Sequence, residues 1–552
     1  MHSVRLLLAV LLLAGGASAR QVTVTLLVTT DLHGNIYPID YFTGKPAERG
    51  LAKIASLVQA VRNENPNTLL VDCGDTIQGT PLESVYQHYV TTGRLPLGLT
   101  FSAAPLGGDP MMLAMNRLGY RAMVLGNHDF NFGLKNLEQA RVVARFPWLS
   151  ANTLVEPGSQ VRPFEPYIVE RLEGVKVAVI GVTTPAIPLW EEPEHYRGYR
   201  FLPIREAADS ALAELRGKQR PDVVVLAVHD GVDRALASSL RGIDAIVFGH
   251  THQQLEGERI GDVLLVEPKN WGISLARLDF VLQSAPDGAW KLTDKRSRLL
   301  PVSGNTPADP EILRLGRPYH ELAERYLNTP VAESPVPMDG RLARVEDSPL
   351  VDAIHAVQMH YGNAEVSFTA MFNPHVRVPK GPVTIRQIAA LYIYENELYA
   401  IEGNGQIVRA ALENAARYFL GCPDAACSHG PLIRRNFPGF NYDMAEGVEY
   451  EIDLSKPEGQ RIVNLRWKGQ PLRPDQRLRI AVNNYRAGGS GGYDMFRDAK
   501  ILWRSSQDIR SLIISYYTER KKLPARADGN WRIVPPQARK ILREEALAEA
   551  GR

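Results

Sequence analysis

Short apolar runs, mostly of β-branched residues, recur through the first half of this chain: VTVTLLVTT, TLLVDCG, AMVLGN, DVVVLAVH and DAIVFGH. Runs with no polar alternation predict strands of a sheet covered on both faces. Each run ends in, or is followed at once by, Gly, Asn, Asp or His, so polar chemistry collects where strands stop. That is the arrangement of a layered α/β domain, whose ligands sit on the loops at strand ends. Residues 255–300 keep alternating as strands (VLLVEP, SLARLDFVL, WKLTD) and should close this domain as an antiparallel edge.

Further along, the period changes. The stretch 301–337 is rich in proline around a helix-like segment, EILRLGRPYHELAERYL, and reads as a helical connector. Residues 338–536 mix helical stretches (PLVDAIHAVQMHY, GQIVRAALENAARYF) with short strands (GVEYEIDL, RLRIAVNNY), which predicts an α+β domain. The tail 537–552, within PQARKILREEALAEAGR, reads as a charged terminal helix. At 552 residues the chain exceeds one ordinary core, so a first domain over 20–300 and a second over 338–536 fit its length.

Composition narrows the partners. A net charge of +2 without a basic run argues against a nucleic-acid duplex. Arg5, the apolar stretch Leu6–Ala14 and Ala17-Ser18-Ala19 form a secretory leader over residues 1–19, with cleavage expected after Ala19. No later segment reaches about 18 consecutive apolar residues, so an exported, periplasmic or extracellular protein free of the membrane is expected. Of three cysteines, Cys422 and Cys427 bracket a short loop and should pair in an oxidising compartment; a zinc site there finds only His429 nearby. Cys73 reads as a packed small hydrophobe.

The candidate chemistry lies in five clusters: Asp31-Leu-His33, Gly74-Asp75, Gly126-Asn127-His128-Asp129, His229 and Gly249-His250-Thr-His252. Two divalent ions about 3.5–4 Å apart need one ligand touching both, and a carboxylate serves. Asp75, standing alone, is the candidate bridge. Asp31, His33 and His252 would complete one site; Asn127, His229 and His250 the other. Mixed imidazole, carboxylate and amide ligation suits Zn, Mn, Fe or Co.

In these clusters the chain resembles the calcineurin-like metallophosphoesterases, whose pattern is D-x-H, G-D, G-N-H-[DE], H and G-H-x-H. The resemblance implies a water activated by metal as nucleophile against phosphorus, with His128 stabilising the transition state or protonating the leaving oxygen. Asp129 reads as structural. In related 5′-nucleotidases a carboxylate three positions after the catalytic His orients its ring; Asn131 stands there in this chain. Phrases along the whole length, among them TTDLHGNIYPIDYFTGK, VDCGDTIQGTPL, LGNHDFNFGL, LYIYENELYAIEGNG, FNYDMAEGVEYEIDLSKP and VNNYRAGG, resemble the exported 5′-nucleotidase family. They are most similar to its bacterial 2′,3′-cyclic-nucleotide 2′-phosphodiesterase/3′-nucleotidase branch. That implies an α/β fold: a layered β-sandwich metallophosphoesterase domain flanked by helices, then an α+β nucleotide-binding domain.

Tyr442, and Tyr485 before the glycine-rich AGGSGG loop, are candidates for an exposed pair of rings holding the base of a nucleotide substrate. The usual Asn-Gly-Gly-x-x-Arg phosphate loop is missing; Phe372-Asn-Pro-His-Val-Arg377 takes its place, which makes Arg377 a candidate clamp. A 5′-nucleotidase or nucleotide-sugar hydrolase would share the metals, and from another class stands a nucleotide-binding protein without catalysis. Export and the lack of a basic stripe argue against a protein phosphatase or a nuclease.

Overall fold

The computed structural model describes residues 20–100, 106–394, 396–422, 424, 427 and 431–549. The expected leader (1–19) and His429 lie outside them. All five apolar runs are parallel strands, the shortest being Ala122–Val124. Gln21–Thr29, Thr68–Asp72, Ala122–Val124 and Trp148–Leu149 run parallel in a six-stranded sheet, and Ser274–Ser284 and Trp290–Pro301 extend it antiparallel. A second six-stranded sheet places Val175–Thr183, Val223–His229, Ala245–Phe248 and Val263–Glu267 in parallel, with Tyr167–Leu172 and Leu255–Ile260 as antiparallel edges. The predicted antiparallel closure over 255–300 is present in Leu255–Ile260, Ser274–Ser284 and Trp290–Pro301, shared between two sheets, whereas the VLLVEP run is the parallel strand Val263–Glu267.

The two sheets pack face to face. Their inner faces meet in one core that joins Val24, Leu26, Val71 and Val124 to Val177, Val225, Val247 and Val266. The outer face of the second sheet is covered by Ile204–Lys218 and Arg234–Ser239, through Ala208, Leu212, Leu215 and Leu236. Leu51–Glu64 and Pro110–Leu118 cover the first. Apolar residues on both faces of each strand are what a four-layer helix–sheet–sheet–helix stack requires.

The predicted helix 311–327 forms as Pro310–Leu327. Asp309 caps it, accepting from the Glu311 and Ile312 amides at 2.9 and 3.0 Å, with Pro310 in the first helical position. The helix packs on the first half, where the Tyr41 hydroxyl meets His320 Nδ1 at 2.9 Å, and it also receives the Arg386 guanidinium on Glu324 at 2.8 Å.

Beyond it, a five-stranded sheet runs in the order Asp443–Glu446, Val366–Ala370, Arg477–Asn483, Glu397–Asn404, Ile501–Asp508. A four-stranded sheet carries Gln470–Pro471, Ile462–Trp467, Glu449–Asp453 and Trp531–Val534. Helices Pro349–Gly362 and Gly405–Ala415 pack on these sheets, and Pro536–Glu549 forms the tail helix. Cys422 and Cys427 are joined by a disulfide, and Cys73 is a buried thiol, as the sequence suggested.

Candidate metal centre and substrate cleft

The five clusters converge. Asp31 and His33 follow the strand Gln21–Thr29, Asp75 follows Thr68–Asp72, and Asn127 and His128 follow Ala122–Val124. His229 ends its own strand, and His250 and His252 follow Ala245–Phe248. Every one of these strands lies in the parallel part of its sheet, so all the loops open at the same end.

Two groups form there: Asp31, His33 and His252, and Asp75, His229 and His250. In the first, His252 Nε2 lies 3.3 Å from Asp31 Oδ1 and 3.1 Å from His33 Nε2. In the second, His229 Nε2 lies 3.0 Å from Asp75 Oδ2 and 3.2 Å from Asn127 Oδ1. Asp75 Oδ2 is also 3.9 Å from His33 Nε2, so one carboxylate faces both groups.

Second contacts aim the imidazoles. His33 Nδ1–H donates to the Gln78 carbonyl at 3.0 Å and His229 Nδ1–H to that of Cys73 at 2.6 Å, leaving each Nε2 as the acceptor turned inward. The Asp75 carboxylate accepts from the His128 amide at 2.8 Å. Asp129 is fully buried and accepts from the Gly126, Thr76 and Ile77 amides, a loop-fastening position. Backbone strain gathers at the same spot: Asp31, His33, Asp75, His250 and His252 all have φ between 46° and 74°. Non-glycine residues hold that conformation only where the surroundings over-determine it. Gly126 is dictated by closeness, since a Cβ there would stand 2.2 Å from the Asp75 amide.

The donor set fits divalent cations. Asp31 and Asp75 are 0 and 1% exposed, and among the described residues their ion-pair partners are imidazoles. Burial would raise Asp31, but His252 and His229 outweigh it and hold the carboxyl at about 2. Asp75 is likewise drawn well below the usual carboxylate range, against its burial, by His229 and His128. Burial, then His229, press His250 down to about 4, which keeps its lone pair available. His229 would be lowered by burial, yet Asp75 lifts it to about 10. Two buried anions demand positive charge here, and two facing imidazole nitrogens 3.1 Å apart have the chemistry to share a metal ion.

Beside the metal centre lies a cleft of about 430 Å³. Its floor is Asn127, His128, Trp190 and His250; its far wall is Glu397, Tyr399, Asn484 and Arg504 from the second half of the chain. The Trp190 ring stacks on His250 with centroids 5.5 Å apart. The Glu397 carboxyl is pushed up by burial to about 7. None of Trp190, Glu397 or Arg504 stood out in the sequence, because each reaches the cleft only through the packing of the two halves.

The base-holding pair needs correction. Tyr485 is 44% exposed, on the short helix Asn484–Ala487 at the cleft wall. Tyr442 is 1% exposed, stacked on Tyr418 at 5.0 Å and edged by Phe419 and Trp531. It is a core ring with no face to offer. The cause is local: Gly439–Asn441 makes a tight turn that sends Phe440 outward, 39% exposed, before Tyr442 enters the strand beginning at Asp443.

Phe440 and Tyr485 are tied to one anchor. Arg486 forms a buried ion pair with Asp443, donates to the Phe440 carbonyl at 2.6 Å and lies 5.2 Å from the Tyr485 ring centroid. Gly491 lets the glycine-rich loop close on this anchor, for a Cβ there would meet Asn441 Oδ1 at 2.5 Å. Tyr394, also 39% exposed, stands 6.3 Å from Phe440. Arg377 is engaged elsewhere, with Asp339 at 3.1 Å and the Val376 carbonyl at 2.9 Å, and does not line the cleft.

Comparison with known proteins agrees with this layout. The calcineurin-like phosphoesterase family model matches residues 24–254, and the 5′-nucleotidase C-terminal domain model matches residues 330–498. The 2′,3′-cyclic-nucleotide 2′-phosphodiesterase/3′-nucleotidase of Salmonella typhimurium is 29% identical over 604 residues, covering 95% of this chain and 91% of that protein. The trifunctional nucleotide phosphoesterase protein YfkN of Bacillus subtilis is 29% identical over 598 residues and 96% of this chain, which spans 40% of that longer protein. Among solved structures, the 5′-nucleotidase precursor of Thermus thermophilus superimposes with a TM-score of 0.57 at 25% identity, over 93% of this chain and 99% of that one.

Proposed function

Because this chain belongs to the family that joins a calcineurin-like phosphoesterase domain to a 5′-nucleotidase C-terminal domain, we propose that it is a dinuclear-metal phosphohydrolase of nucleotides. We assign it the activities of a 2′,3′-cyclic-nucleotide 2′-phosphodiesterase and 3′-nucleotidase. The observation that carries this reading is the shared cleft, where Asn127, His128 and His250 beside the two ligand groups face Glu397, Asn484 and Arg504 from the second half of the chain.

In this reading Asp31, His33 and His252 would hold one ion and Asn127, His229 and His250 the other, with Asp75 available to both. Two divalent ions there would supply Lewis-acid polarisation of the phosphoryl group and activation of water. His128 hands a proton to the departing ribose oxygen, or steadies charge on phosphorus. Tyr485 and Phe440, fixed by Arg486, grip the base. A cyclic phosphate opens to a 3′-monophosphate, which then repositions for a second cleavage. Domain limits of 20–300 and 338–536, with the helical segment 301–337 between them, accompany this division of labour. So does export, which the Cys422–Cys427 disulfide supports.

The test is phosphate release by metal-stripped protein reconstituted with Mn, Co or Zn, on matched 2′,3′-cyclic, 3′- and 5′-nucleotides. Turnover of the cyclic and 3′-nucleotides above the 5′-nucleotides is expected. A clear preference for 5′-nucleotides or nucleotide sugars would replace the assignment within the same chemistry, and no metal-dependent release would overturn it.

A further inference from the structure

The ring of His128 belongs to a hydrogen-bonded chain that runs away from the metal centre. His128 Nδ1 lies 2.7 Å from Asn131 Oδ1, the Asn131 amide nitrogen donates to Glu191 Oε1, and His195 Nδ1 meets Glu191 Oε2 at 2.9 Å. Asn131 and Glu191 are 60 residues apart in sequence and come from different sheets' loops. Glu191 is 8% exposed, and follows the short helix Ile187–Trp190 whose last ring stacks on His250.

The order of donors along this chain has one consistent solution. A carboxylate only accepts, so it must face the NH₂ of Asn131 and never its oxygen. That orients the amide, which otherwise could be turned either way. The amide oxygen is then presented to His128, and an oxygen acceptor requires Nδ1 to carry the hydrogen. Nε2 is then the basic nitrogen of the ring, the one that takes up a proton from water to form the imidazolium and gives that proton to a leaving oxygen, returning to the Nδ1–H form. Glu191 has a lone pair left for His195, whose hydrogen bond and charge contact with Glu191 raise its pKa despite its partial burial.

We propose that Glu191 is a positioning residue for His128, acting through Asn131 to fix the ring's rotation and its Nδ1–H tautomer. This rests on the reading of His128 as the group that serves the leaving oxygen. Asn131 alone is indifferent, since its amide satisfies either tautomer by turning over; the carboxylate supplies the direction. The same arrangement gives a reason for the loop carrying Trp190 and Glu191 to sit at the cleft rim.

The experiment is a relay swap in the metal-loaded, full-length protein. Glu191→Gln and Glu191→Ala should each lower kcat for the nucleotide substrate by about 10–100-fold, the usual cost of losing an outer contact to a site histidine. KM and bound metal should stay within about twofold, as expected when a contact matters mainly in the transition state. Asn131→Asp placed in the Glu191→Gln background should restore most of kcat. The carboxylate introduced at position 131 then accepts from both His128 Nδ1–H and the amide introduced at position 191, so the negative charge has moved one place along the relay. Asn131→Asp alone sets two carboxylates in contact and should stay impaired. Undiminished kcat in Glu191→Gln, or a fall that the second substitution does not recover, overturns the proposal. A purely structural glutamate would not be rescued this way.

Should the wild-type protein release no phosphate, the functional reading fails separately, and nitrogen NMR decides the relay. The ring signals of His128, assigned by their loss in His128→Asn, should report Nδ1–H in the wild type and a mixture in Glu191→Gln. An unchanged tautomer in that variant overturns the relay whatever the activity.

Discussion

At the scale of single residues, the ligand groups were legible because their motifs are local: D-x-H, G-N-H-D and G-H-x-H each fit within one loop. Their chemistry yields two predictions. Asp75→Asn should abolish hydrolysis and lower metal content in both sites, since Asp75 Oδ2 faces both groups; near-normal turnover with two ions bound would remove it as the bridge. His128→Asn should keep two ions while turnover falls by about 10²–10⁴, the size of a general acid–base contribution. Metal loss in that variant, measured by elemental analysis, would make His128 a support of the site. What the sequence could not show were partners from afar. Glu191 is tied to Asn131, and Glu397 and Arg504 line the same cleft as His128, all through long-range packing. Tyr442 failed for the opposite reason: a motif near a glycine-rich loop says nothing about which way a ring turns after a tight turn.

Elements were read well where periodicity was long. The helix Pro310–Leu327 and the strands that carry ligands lie where the apolar pattern put them. The partition of strands between two sheets was not legible, because parallel buried strands look alike whichever sheet they join. One element carries a pH prediction. Asp352, in the first turn of helix Pro349–Gly362, stands in an acidic group with Asp347, Glu446 and Asp528. Burial, and then Asp347, raise its carboxyl to about 8, and burial raises Glu446 to about 7. A carboxyl whose pKa is higher folded than unfolded binds more protons in the native state between those values. Stability therefore falls as pH rises from about 4, an ordinary carboxyl value, towards 8. Asp352→Asn should raise the melting temperature at pH 8 and leave it nearly unchanged at pH 4. Equal stabilisation at both, in a thermal melt, would mean that packing rather than charge is altered.

Over the whole molecule, the proposed function has the two halves divide one substrate between them, and the burial of Tyr442 makes that division testable. Tyr485 and Phe440 present exposed rings held by Arg486, whereas Tyr442 is buried against Tyr418. Tyr485→Ala and Phe440→Ala should weaken nucleotide hydrolysis and spare p-nitrophenyl phosphate, which has no base to grip. Ring stacking of about 0.5–1.5 kcal/mol corresponds to a loss of several-fold to roughly tenfold, since about 1.36 kcal/mol is tenfold in rate. The loss belongs in KM if ground and transition states feel the ring alike, and should be greater for purines, whose rings offer more face. Tyr442→Ala should behave differently, costing about 3–5 kcal/mol of stability as a large buried ring is removed. Its turnover of both substrates, in the fraction that stays folded, should be close to wild type. If Tyr442→Ala instead lost only nucleotide activity at full stability, the ring would reach the base, and the two halves would have to meet in a different arrangement from the one described.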